Sequence, residues 1–299
     1  MIVTGIGQCS IDYLALMDAY PAVDTKKEIL ELHEQGGGPV ATALVALARW
    51  GVKARFFGMV GDDDAGEKIR RSLAEEGVDV SGLKVRGKGN SQIAFIAIEK
   101  ETARRTIFWK RPMGQPLSPE ELGTDFLEGS MLLLLDGLMR DVSVYAAERA
   151  REHGIPIMLD AGRFRPGMMD LIKFSDYVVA SEEFARDLGW TPSRETLLRE
   201  RENLGVKVLS ITLGEKGSMT ASSDGAYIEV PAFKVAALDT TGAGDVFHGG
   251  YIYGLLRGWE LKETIIFASA VAAIKCTKIG GRAGIPRLEE VGEFLNERG

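Results

Sequence analysis

Apolar runs closed by glycine punctuate the chain from its first residues. Met1 to Gly7 (MIVTGIG) is rich in β-branched residues and predicts a buried strand, with Asp12 just beyond its end. Glu28 to His33 (EILELH) alternates charged and apolar positions, the period of a half-exposed strand. Gly36-Gly37-Gly38 breaks that period before a helix over Val40 to Trp50. The helix is small and apolar on most sides, as one pressed onto a sheet would be, and Gly51 caps its end. A strand over Ala54 to Val60 follows, then a helix whose start carries Asp62, Asp63 and Asp64, where the helix dipole favours acids as caps. SQIAFIAIE and RRTIFWK are period-2 segments separated by KETA and predict an antiparallel hairpin; with Glu28 to His33 they suit a small separate sheet.

From Met131 onward apolar strands alternate with amphipathic helices: MLLLLD, VSVYAAERAREHG, IPIMLD, DYVVA, VKVLSITLG. That alternation predicts an α/β fold built on a doubly wound, mainly parallel sheet. Two apolar helices after Gly242 cover it. No internal repeat, low-complexity tract or linker divides the chain.

Composition narrows the chemistry. With 45% hydrophobic and 26% charged residues in 299, the chain has material for a large core. A net charge of -7 argues against nucleic acid and anionic lipid as partners. Cys9 and Cys276 are the only cysteines, and His33, His153 and His248 are scattered, so a disulfide framework, a zinc site and a histidine-driven triad all lack material. The most apolar run, Met131 to Leu135, meets Asp136 far short of a membrane span, and the first residues lack the basic start of a signal peptide; the expected location is cytoplasmic.

The chemistry gathers in VAALDTTGAGDVFHGG. A strand is expected to deliver Asp239, Thr240 and Thr241 into a glycine turn, with Asp245 opening a helix. Gly242, Ala243 and Gly244 leave backbone N–H groups open at that helix start, a place suited to an anion such as a transferring phosphoryl group. Asp245 beside it then suits a base that takes a proton from an attacking hydroxyl. Taken alone, the same four residues also fit a helix cap and a loop.

DTTGAGDVFHGG, with GGGPVATALVALARWG upstream and ITLGEKGS between, resembles the ribokinase-like (PfkB) carbohydrate kinases over nearly the whole chain. The resemblance implies one kinase domain over 1–299, with a small β-sheet lid from segments at about 12–36 and 91–112, and a homodimer formed through that lid. It implies ATP and Mg²⁺ as cofactors, Asp245 as general base, and the amides of Gly242, Ala243 and Gly244 as an anion hole. Asp12, Gly37, Gly38 and Thr42 would line the sugar. Thr212, Gly214 and Gly217 would hold the nucleotide phosphates and ribose, and Ser269, Gly280 and Gly281 would flank the adenine. Asp239, with the carbonyls of Thr241, Cys276, Ile279 and Gly281, resembles a monovalent-cation loop for K⁺. Asp12 also fits a turn residue, and the ITLGEKG segment an ordinary hairpin turn.

Two departures stand out: Ser181-Glu182-Glu183-Phe184 replaces the family's Asn-x-x-Glu, and Thr42 stands where many relatives carry Asn. The start GGGPVAT and the ending KCTKIGGRAGIP resemble the ketose-kinase branch, sulfofructose kinases above all and ketohexokinases more distantly. A sulfonated or phosphorylated ketose needs a cationic pocket, for which Lys26, Lys110, Arg111, Arg140 and Arg163 are candidates, with Trp109 beside them on the lid. For sulfofructose, Trp109 stands where an amide would be expected and Leu138 where an arginine would be, and only Lys26 matches. The expected reaction is therefore transfer of the γ-phosphoryl group of ATP to a primary hydroxyl of a ketose or anionic ketose. Two alternatives stay open: a nucleoside kinase using Phe95, Phe108 and Trp109 around a base, and a non-catalytic sugar sensor. Gly5-x-Gly7-x-x-Ser10 lacks the third glycine of a dinucleotide site, and Gly82 to Gly89 (GLKVRGKG) reads as a loop.

Overall fold

A computed structural model describes residues 1–298, and among them two sheets carry the fold. The chain begins with β1 (Ile2–Ile6), crosses into β2 (Ser10–Met17) and β3 (Glu31–Gly37), and returns through α1 (Pro39–Arg49), β4 (Lys53–Gly61), α2 (Asp64–Glu75) and β5 (Val78–Arg86). The hairpin β6 (Ile93–Glu99) and β7 (Arg105–Lys110) leaves the main body again. After it β8 (Ser130–Leu135), α3 (Arg140–Glu152), β9 (Ile157–Ala161), α4 (Met168–Phe174), β10 (Tyr177–Ser181), α5 (Glu182–Asp187), α6 (Arg194–Leu204) and β11 (Val208–Thr212) alternate as expected. The antiparallel β12 (Ser218–Ser222) and β13 (Tyr227–Val230) then precede α7 (Ala243–Arg257), α8 (Leu261–Lys275) and α9 (Leu288–Asn296).

The large sheet has the order β13-β12-β11-β10-β9-β8-β1-β4-β5, parallel from β11 to β5. Its strands are apolar on both faces because helices cover both. In β8, Leu132 and Leu134 pack with residues of α1, α7 and α8, while Leu133 and Leu135 pack with residues of α3 to α6. No helix among the described residues is long and apolar enough to cross a membrane.

The small sheet runs β3-β2-β6-β7, and its register decides which residues look at the main body. Gln35, Asp12, Ala94 and Trp109 are successive partners across it and share one face; two residues on along each strand, so do His33, Leu14, Ile96 and Ile107, and then Glu31, Leu16, Ile98 and Arg105. Leu14, Leu16, Ala94, Ile96 and Ile98 form a small core on that inner face, against Ile279 of the main body. The outer face carries Tyr13 stacked on Phe95 at 5.2 Å, with Phe108 paired opposite Phe95.

Four local expectations change. Asp12 lies within β2, because the chain turns after Ile6 and starts its next strand at Ser10. The glycines do not end β3 at once: Gly37 still pairs with Ser10, and Gly38, at φ 99°, makes the break. Gly82 to Arg86 are edge strand, paired with β4, instead of loop. The segment before Gly242 is extended but unpaired, so no strand delivers Asp239. Asp63 does cap α2, accepting from the Gly66 amide at 2.8 Å, as its position at the helix start predicts.

Candidate active site

The C-terminal ends of the parallel strands meet the inner face of the small sheet, and the start of α7 lies in that angle. Gly242 adopts φ 73°, which lets the chain turn sharply into the helix, and a Cβ there would stand 2.7 Å from the Cα of Gly281. The glycine turn and the Gly280–Gly281 loop are thus backbone against backbone. Among the described residues the amides of Gly242 and Gly244 donate to no backbone oxygen; that of Ala243 donates to the Thr240 carbonyl at 3.2 Å. Two open donors at a positive helix end are suited to an anion, and Ala243 is less open than its neighbours.

Asp245 sits in the first turn of α7 and is half-buried. Burial pushes its carboxyl up to about 6, and the nearby Asp160 charge adds to this, while His248 and Arg105 oppose it. Asp160, at the end of β9, also faces His248, whose Nε2 lies 3.6 Å from its Oδ1. The opposite ring nitrogen, Nδ1, lies 2.7 Å from the Gly244 carbonyl, so it is the donor there. Because a base must be ionised to accept a proton, kcat/KM should be flat above about pH 6 and fall about tenfold per unit below it. A pH–rate profile on the phosphoryl acceptor checks this.

Asp12 reaches in from the small sheet. Ser10 donates to its Oδ1 at 2.7 Å, and burial raises its carboxyl, with the Arg282 charge and the Ser10 bond acting against the rise. A Cβ on Gly37 would fall 2.0 Å from Asp12 Oδ2, so Gly37 is the room that the carboxylate occupies. The clash is with the end of a side chain, which can swing aside. Gly37→Ala should therefore fold normally, raise the KM for the acceptor tenfold or more, and leave the KM for the nucleotide within twofold; steady-state kinetics on both substrates checks it.

Thr42 is buried in the first turn of α1, within 4.0 Å of where a Cβ on Gly281 would lie. Gly38, whose Cβ would strike the Gln8 carbonyl at 2.3 Å, lets α1 start against the end of β1. Gln35 ties the small sheet to the loop after α8: its Nε2 donates to the Ile279 carbonyl at 3.1 Å and its Oε1 accepts from the Arg282 and Ala283 amides.

Thr212, Gly214 and Gly217 lie at the tip of the β11–β12 hairpin, where Gly214 and Gly217 take φ 60° and 100°. Lys216 of that tip stands 3.8 Å from Glu182. Ser269 lies in α8, which leads to Gly280 and Gly281. The Ser181 to Phe184 segment is a cap: Ser181 Oγ accepts from the Phe184 amide at 3.0 Å. Glu183 pairs with Arg163, which the structure leaves on the main-sheet side, away from the lid candidates. Lys26 is exposed in the β2–β3 loop. Trp109 is on the inner face with Asp12, its ring beneath Arg111 at 5.2 Å.

Two residues join the site that the pattern of the sequence did not single out. Arg105 of β7 donates to Thr240 Oγ1 at 2.5 Å, which brings a guanidinium beside the glycine turn. Asp160 lies near enough to Asp245 for its charge to help raise that carboxyl. Each is one charged residue at the end of an ordinary strand, and only the meeting of the two sheets gives it a place.

Open amides at the start of α7, a half-buried carboxylate beside them and a second carboxylate on the small sheet are a combination that suits phosphoryl transfer. Residues 3–288 match the pfkB family carbohydrate kinases, and the chain belongs to that family. It is 28% identical to an ATP-dependent ribose-1-phosphate kinase of Halopiger xanaduensis, over 99% of this chain and 98% of that one. It is also 28% identical to a ribokinase of Haemophilus influenzae, over 87% of each. The crystal structure of ribokinase from Thermotoga maritima superimposes with a TM-score of 0.84 at 26% identity, covering 99% of both chains. The protein is a carbohydrate kinase, and the small sheet is its lid.

Proposed function

We propose that this kinase transfers the γ-phosphoryl group of ATP to a primary hydroxyl of a ketose or anionic ketose, with Asp245 as the base. The observation that carries the reading is the adjacency of Asp245 to the open amides of Gly242 and Gly244. The hydroxyl, held by Asp12, loses its proton to Asp245 as its oxygen attacks phosphorus in line; the ADP oxygen leaves on the far side. The amides of the glycine turn and the Arg105 guanidinium take up the charge on the transferring group. Lid closure excludes water and so suppresses hydrolysis.

ATP as donor agrees with what fold neighbours hold. A ribokinase of Arabidopsis thaliana is complexed with ribose and ATP, and a neighbour from E. coli with ATP and Mg²⁺. No group of three or more His, Cys, Asp or Glu among the described residues fits a resident metal, so magnesium suits the site as an ion carried on the triphosphate. Asp160, close enough to act on the Asp245 charge, is a carboxylate that would hold it through water. Bound there, the ion neutralises charge on the phosphate oxygens.

The acceptor's far end has a place to go. A cavity of about 200 Å³ lies between Gln8, Cys9, Met59, Arg111, Leu138 and Met139. Its single cationic wall group, Arg111, supports an anionic substituent. The outward placement of Phe95 and Phe108 speaks against a nucleoside, since it leaves Trp109 alone among the three on the inner face. Phe95, Phe108 and Leu32 are instead exposed on the outer face and suit a homodimer formed through the lid. A cytoplasmic location agrees with this chemistry, which consumes ATP.

The test is a panel of fructose, fructose phosphates, sulfofructose, ribose, ribose phosphate and adenosine, read by mass of the phosphorylated product. A ketose or anionic ketose turned over at least tenfold faster than the rest supports the reading. Preference for adenosine contradicts it.

A further inference from the structure

Lys275 is the last residue of α8 and is 0% exposed. Its ammonium donates to the backbone carbonyl of Asp239 at 2.8 Å. A buried charge of this kind costs several kcal/mol unless the surroundings compensate, and nothing in the phosphoryl transfer uses it.

The surroundings are the loop that would otherwise suit K⁺. Three of its five proposed ligands are already engaged, while the Thr241 and Gly281 carbonyls accept from no group among the described residues. Asp239 Oδ1 accepts from the Thr241 amide at 2.8 Å and the Thr241 hydroxyl at 2.7 Å, and Oδ2 accepts from the Gly280 amide at 2.7 Å. The Cys276 carbonyl accepts from the Leu238 amide at 2.8 Å and the Asp239 amide at 3.2 Å, and the Ile279 carbonyl accepts from Gln35. Two free carbonyls, with the other three ligands engaged, make a poor site for an ion that needs several oxygens.

We infer that the Lys275 ammonium is a built-in cation that takes the place of a monovalent ion and holds the Asp239 loop, and through it the glycine turn, in the form that binds phosphate. The connection is short. Lys275 fixes the Asp239 carbonyl, the Asp239 carboxylate fixes Thr241 and Gly280, and Gly242 and Gly281 meet one residue further on. Lys275 is a positioning residue: it touches neither the acceptor site nor Asp245. The inference rests on the glycine turn being the anion site, so one arm of its test is read without any substrate.

The experiment compares wild type, Lys275→Ala and Lys275→Met in tetramethylammonium, sodium, potassium and ethylammonium chlorides at equal ionic strength. Wild-type turnover should agree within twofold across the salts, and its melting temperature should not depend on which cation is present. Lys275→Ala should lose at least tenfold in kcat in tetramethylammonium and regain most of it in potassium or ethylammonium, and its melting temperature should rise in the same two salts. Lys275→Met, which keeps the packing and fills the space, should lose as much and regain nothing. Activation of the wild type more than fivefold by potassium overturns the inference. So does a folded Lys275→Ala that no cation rescues in either readout. If neither variant folds, the wild-type salt series still decides.

Discussion

Asp245→Asn should leave ATP binding within twofold of wild type and lower kcat by about 10³-fold, within the range that a positioned base supplies. The substitution keeps the side chain's size and removes only its ability to accept a proton, so the open amides of Gly242 and Gly244 are undisturbed. Stability should move the opposite way. Folding raises the Asp245 pKa from its ordinary 3.8 to about 6, so the folded state binds that proton more tightly than the unfolded chain does. Its ionisation therefore costs stability progressively between about pH 4 and 6, and in full above. At pH 8 the neutral Asn escapes that cost and should melt above wild type, while at pH 4 the two should converge. Isothermal titration with a non-hydrolysable ATP analogue, single-turnover kinetics and melting at the two pH values check the three parts. A variant that is inactive because it is unfolded fails the last of them.

The second large effect belongs to Gly242. Its φ of 73° is one that a β-branched residue adopts only under strain, and its Cβ would meet the Gly281 Cα at 2.7 Å, backbone that cannot swing aside. Gly242→Val should displace the glycine turn and the Gly280–Gly281 loop together. A loss of at least about 10²-fold in kcat is expected from misplaced amides alone. The nucleotide KM should rise as well, which separates this variant from Gly37→Ala, where the acceptor KM moves. Steady-state kinetics on both substrates distinguishes them, and near-normal kcat in Gly242→Val would remove the glycine turn from the transfer step.

The chain's pattern discloses the parallel sheet because its strands are apolar on both faces and its helices carry their own caps. Runs such as MLLLLD and IPIMLD need nothing beyond local composition to be read. The lid hairpin is equally legible, from period-2 alternation in β6 and β7. What the pattern hides is where a strand starts once the chain changes sheets. Asp12 looks like a residue after β1, yet it is the third of β2, because the turn between them takes only three residues, Gly7 to Cys9. The stretch before Gly242 reads as a strand from VAAL, but it lies unpaired and is held by Lys275 and Cys276 from α8 and the residue after it.

The site divides the same way. Asp245 and its glycines are contiguous, so their chemistry can be read in one segment, and Gly37 and Gly38 follow from the tight contacts that a glycine permits. Arg105 and Asp160 are isolated charges whose role comes from the lid's register and from the edge of β9. Lys275 looks like the basic end of a helix, where it would complement the dipole. Its complete burial against Asp239 is a tertiary fact that no local pattern carries. The Asn-x-x-Glu segment is the reverse case: its replacement by Ser181 and its neighbours is plain in the sequence, and the structure shows Ser181 at work as a cap with Glu183 tied to Arg163.

The central claim is phosphoryl transfer to a sugar hydroxyl with Asp245 as base, and the most direct test measures ADP and phosphorylated sugar in the same reaction, for wild type and Asp245→Asn. The account predicts that the two products form one to one with the preferred ketose. It predicts only trace ADP when the sugar is omitted, and loss of both products together in the variant. ADP formed without sugar phosphate, or transfer undiminished in Asp245→Asn, would contradict it.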